Sequence, residues 1–60
     1  MNRCEIIKYI LSNLDKIDEI VPYDLSGYDV DTVREICLIM AKYSKDENRR
    51  KICENKAREL

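Results

Sequence analysis

Ile7, Ile10, Leu14, Ile17 and Val21 recur at spacings of three, four, three and four residues, the repeat of one face of an α-helix. Ile6 and Leu11 widen the stripe. Asn2 suits the N-cap position, and Glu5 three residues later can complete a capping box. Pro22 disfavours helix at Val21, so the pattern predicts a helix over 3–21. Residues 22–30 read Pro-Tyr-Asp-Leu-Ser-Gly-Tyr-Asp-Val. Ser26-Gly27 is a turn signal, while Leu25, Val30 and two tyrosines make this a loop that packs over the open end of a helix pair.

Asp29 or Asp31 can cap a second helix over 31–43. At about 100° per residue, Val33, Ile36, Met40 and Tyr43 gather on one face with Cys37 at its edge. That face predicts the core, with Leu14 and Ile36 opposed across it. No apolar residue lies between Tyr43 and Ile52. Ser44 with Glu47 forms a second capping-box pattern, Asp46 adds an acid, and Ile52, Cys53, Ala57 and Leu60 restart a thin stripe. A bend near Ser44 and a third helix over 45–60 follow. The expected fold is all-α, a small three-helix bundle forming one domain over 1–60. The alternative is a helical hairpin with a long second helix.

Residues 36–41, Ile-Cys-Leu-Ile-Met-Ala, are all apolar and so cover every side of their helix. A chain of 60 residues has little material to surround a helix, and a domain of that size has a thin stability margin. Part of that surface is expected to meet another molecule, a larger protein or a second copy in a homodimer. Leu38 falls among Arg34, Lys42 and Lys45, and Ile39 sits on the shoulder; the competing expectation is that the third helix or the loop covers them. Tyr23 and Tyr28 are the loop's candidates for contact, since tyrosine brings area and a hydroxyl at modest entropy cost. Each could instead roof the core.

Charge adds a weaker signal. Eleven basic and twelve acidic residues give a net charge of −1, so the chain as a whole is no polyanion binder. Asp15, Asp18, Glu19, Asp24, Asp29 and Asp31 stand against Lys16 alone within residues 15–31. A calcium loop fails there: Gly27 at loop position six puts Pro22 at one and Val33 at twelve. What survives is an acidic surface, Asp24 included, suited to a basic partner. Arg49, Arg50 and Lys51 form the corresponding basic segment. They carry the alternative reading, a dimeric helical DNA-binding transcriptional regulator. Acids at the fronts of both later helices oppose that reading, because they would repel phosphate.

The chain has no His, no Gly-rich phosphate loop and no close Cys pair among Cys4, Cys37 and Cys53. No metal, cofactor or enzymatic activity is expected, and the cysteines read as small apolar fillers. An odd cysteine count suits a reducing cytosol. The start at Met1 without a basic-then-apolar leader reads as an intact chain, and no apolar stretch approaches a membrane span. Eight Ile against two Ala, one Gly and one Pro fit an AT-rich coding sequence, as in a low-GC bacterium or its phages. The sequence thus points to a cytosolic helical protein-binding module: an inhibitor or adaptor of phage or mobile-element origin, with Leu38, Ile39, Tyr23, Tyr28 and Asp24 at its contact surface.

Overall fold

The computed structural model describes residues 2–60, and within them every regular element is helical. The helices are α1 (Arg3–Ser12), α2 (Ile17–Ile20), α3 (Val30–Tyr43) and α4 (Glu47–Glu59), with a 3₁₀ turn over Leu14–Lys16 between the first two. Asn2 caps α1: its Oδ1 accepts from the Glu5 amide at 2.9 Å, and its Nδ2 donates to the Glu5 carboxylate at 3.4 Å.

The single helix expected over 3–21 is interrupted at Asn13. The Asn13 side-chain amide donates to the Tyr9 carbonyl at 2.9 Å, taking the acceptor that its own backbone N–H would use in a continuing helix. The backbone N–H turns to Ile10 instead, at 3.1 Å. A tight turn follows, and α2 ends where Val21 becomes extended before Pro22 (φ −102°, ψ 114°), as the residue before proline must. The apolar stripe crosses the break in phase, because Ile10, Ile17 and Val21 are all buried.

The core consists of Ile10, Ile17, Val21, Leu25, Val33, Ile36, Cys37 and Met40, with Ile6, Ile7, Leu14, Tyr28, Ile39, Cys53 and Ala57 packed around it. Tyr43, placed by the helical wheel on the core face, is instead 40% exposed. It lies in the last turn of α3, and the Lys42 ammonium sits 5.2 Å from its ring.

Residues 44–46 leave the helical path, so α3 and α4 are two helices. The capping residue of α4 is Asp46 rather than Ser44: its carboxylate accepts from the amides of Asn48 at 2.9 Å and Arg49 at 3.3 Å. Ser44 is buried and turned toward Asp18. α4 returns antiparallel along α3, since Arg34 near the start of α3 donates to the Leu60 carbonyl at 2.5 Å. The first arm runs in the same overall sense as α3. Arg3 pairs with Glu35 at 3.8 Å, whereas Asp18 reaches Ser44 at the far end. Residues 21–29 therefore cross back to begin α3, and buried Leu25 anchors the crossing.

These burials order the cost of truncation. Ile36→Ala, at a fully enclosed side chain, should cost about 2–5 kcal/mol, and half-buried Leu14→Ala clearly less. Leu11→Ala, on the exposed side of α1, should stay within about 0.5 kcal/mol. Denaturant unfolding checks the order; equal losses at Leu14 and Ile36 would place Leu14 in the interior.

Candidate contact surface

Two faces carry the residues that the sequence nominates for contact, and they differ in how the fold holds them. On α3, Leu38 is 52% exposed. Helical spacing puts Arg34 one turn before it and Lys42 one turn after. Arg34 is fixed by Asp31 at 3.2 Å and by the Leu60 carbonyl. Ile39 is half-buried and packs against the core, so it reaches the surface only as the shoulder of that face. Neither α4 nor the 21–29 segment covers Leu38.

The second face is the crossing segment. Tyr23 is 63% exposed, with its ring 4.2 Å from the Arg49 guanidinium carbon. Asp24 is exposed and accepts from the Ser26 amide at 3.0 Å. That bond and the Ser26 hydroxyl, with help from the Lys56 charge, hold its carboxyl below the ordinary range. Tyr28 is half-buried against the core, and its amide donates to the Leu25 carbonyl at 3.2 Å. Tyr23 and Asp24 thus stand outward while Tyr28 closes the interior.

What sequence reasoning missed is the part played by Arg49. In sequence it belongs to the basic segment with Arg50 and Lys51, yet Arg49 is only 5% exposed. Its Nη1 donates to the Asp18 carbonyl at 2.5 Å and lies 3.4 Å from the Asp18 carboxylate. Its Nη2 donates to the Val21 carbonyl. These carbonyls end α2, where a cation meets both unpaired acceptors and the negative end of the helix dipole. Asp18 also accepts from the Ser44 hydroxyl and from the Lys45 amide, the latter at 2.8 Å. Among the described residues, no buried polar side-chain atom lacks a partner.

The nominated nucleic-acid residues are therefore not a set of free cations. Arg49 is enclosed, Arg50 is half-buried and donates to the Ser44 carbonyl at 2.6 Å, and Lys51 is exposed. Asp46 occupies the amide donors at the front of α4. The exposed apolar side chains also include Tyr9, Leu11, Val30, Ile52 and Leu60, of which the spacing of the sequence places Leu11, Ile52 and Leu60 in apolar stripes. A wheel centred on one helix does not show which stripe residues a neighbouring helix leaves bare.

Cys37 is buried on α3, and Cys53, half-buried on α4, packs against the core cluster that contains it. Burial pushes both thiols up, that of Cys53 to about 11. Cys4 stands apart and exposed on α1. Among the described residues, no cluster of three or more His, Cys, Asp or Glu is arranged to hold a metal ion, and no helix is long and apolar enough to cross a membrane. No family model matches the chain, and neither a curated protein nor a solved structure matches it.

The Asp18 carboxyl is held below its ordinary value of 3.8, chiefly by the Ser44 hydroxyl, then by the Lys45 amide and the Arg49 charge, with burial opposing. A carboxyl with a native pKa below its unfolded value stabilises the fold above the unfolded value. That contribution fades as pH falls through the native one. The stability difference between the wild type and Asp18→Asn should therefore be full at neutral pH and shrink below about pH 4. A difference that stays constant down to strongly acid pH would show that the Asp18 charge does not act in the joint.

Proposed function

We propose that this chain is a small cytosolic protein-binding module, an inhibitor or adaptor that seats on a larger protein through the outer face of α3. The observation that carries the reading is Leu38, half exposed between Arg34 and Lys42 in the middle of a helix whose Val33, Ile36, Cys37 and Met40 face the core. An exposed leucine flanked by charges has the form of an interface anchor, the apolar group supplying affinity and the charges orientation. Tyr23 and Asp24 form a second contact surface on the crossing segment, and Ile39 is the shoulder of the Leu38 face.

In this reading α1 and α2 act as one arm of a three-helix bundle that presents α3 as its contact helix. A second copy on the same face is the homodimeric form of the proposal. Its composition suits a phage or mobile-element product of an AT-rich host. The DNA-binding alternative loses support from the burial of Arg49 and the acid at the front of α4.

Leu38→Glu separates contact from core. The new carboxylate would stand in water near Arg34 and Lys42, so helix content by circular dichroism and cooperative melting should match the wild type. Burying that carboxylate in an interface without a counter-charge costs several kcal/mol, on the order of 3–5, so association should be lost. Sedimentation equilibrium, together with the concentration dependence of the melting midpoint, reads the homodimer. Capture of a purified target reads the foreign partner. Normal association by a folded Leu38→Glu chain would remove this face from the interface. Steep, salt-sensitive binding to duplex DNA by the wild type would favour the regulator instead.

A further inference from the structure

We propose that Cys37 and Cys53 are a dithiol–disulfide pair, a modification site at which a low-molecular-weight disulfide covalently closes the α3–α4 hairpin. The hairpin geometry brings them together. Cys37 lies seven residues before Ser44 and Cys53 seven after Asp46, at equal depth from the turn on facing helices. The antiparallel register is set at both ends, by the Arg34 bond to the Leu60 carbonyl and by the Arg50 bond to the Ser44 carbonyl. Cys37 is fully enclosed in the core and Cys53 packs against that same core, partly open to solvent. Cys4 lies elsewhere, on α1 beside Ile7, Lys8 and Glu35.

That difference in access orders the chemistry. The Cys53 sulfur, as thiolate, attacks one sulfur of the incoming disulfide, forming a mixed disulfide and releasing one thiolate. The Cys37 sulfur then attacks Cys53, displacing the second thiolate. The two protons of the cysteines end on the two released thiols. The pair loses two electrons and the small disulfide gains them. Burial disfavours both thiolates, so the reaction is slow and the pair stays reduced while small thiols dominate. Once formed, the bond closes a loop around the turn and restricts the unfolded chain.

The test incubates the full chain with excess glutathione disulfide, followed by intact mass, peptide mapping and thermal melting. The expected product is a Cys37–Cys53 cross-linked peptide, with any glutathione adduct confined to Cys4. Its melting midpoint should lie on the order of 10 °C above the reduced form, and return on reduction with dithiothreitol. Cys4→Ser should behave like the wild type, whereas Cys53→Ser should show no rise. Mapping of the wild type decides the matter even where a cysteine variant folds poorly. Stable glutathione adducts on Cys53, or only Cys4-linked dimers, would overturn the proposal. So would a Cys37–Cys53 bridge that lowers the midpoint, because the native packing would then not accommodate it.

Discussion

A buried guanidinium organises this chain. Arg49 begins on α4, yet its donors are spent on the end of α2, at the carbonyls of Asp18 and Val21 and the Asp18 carboxylate. Enclosing a charge carries a large desolvation cost, which is offset only where its hydrogen bonds and counter-charge are supplied. Here they are supplied by a helix end that itself has carbonyls to satisfy. The same joint holds Ser44 and Lys45 of the α3–α4 turn and carries Tyr23 against the guanidinium. One polar knot thus ties together the first arm, the crossing segment and the hairpin turn.

That knot determines which apolar surface is left over. With α2 pinned to the turn and α4 folded back along α3, the inner residues Val33, Ile36, Cys37 and Met40 are enclosed from two sides. Among the described residues, the outer side of α3 at Leu38 is left half exposed. Leu38 remains in water between two bases, the feature on which the proposed binding role rests. The same closeness of α3 and α4 brings Cys37 and Cys53 into one packed core.

The parts of the fold written in local pattern were legible in the sequence. Pro22 stops the first arm, Val33, Ile36, Cys37 and Met40 point inward as their spacing implies while Tyr43 does not, and the polar stretch after Tyr43 marks the bend. The interruption at Asn13 was not legible, because the stripe from Ile10 to Ile17 keeps its phase through the 3₁₀ turn and periodicity registers phase, not hydrogen bonds. Asp46 displaced Ser44 as the cap because Ser44 has a tertiary partner, Asp18, 26 residues away. Arg49 looks like its neighbours Arg50 and Lys51 in sequence; only the distant end of α2 distinguishes it. The exposure of Leu38 could be read from the wheel, but whether a third helix would cover it depended on where α4 packs.

The central claim is that Arg49 and Asp18 act together to hold the arm to the hairpin. A double-mutant cycle on unfolding free energy, using Arg49→Met, Asp18→Asn and the pair, tests it most directly. Residues in one buried network show coupling of about 0.5–3 kcal/mol; the account predicts a stabilising value of about 1 kcal/mol or more at neutral pH. Losses that simply add, within about 0.3 kcal/mol, would mean that the two side chains contribute independently and that the joint does not hold the fold.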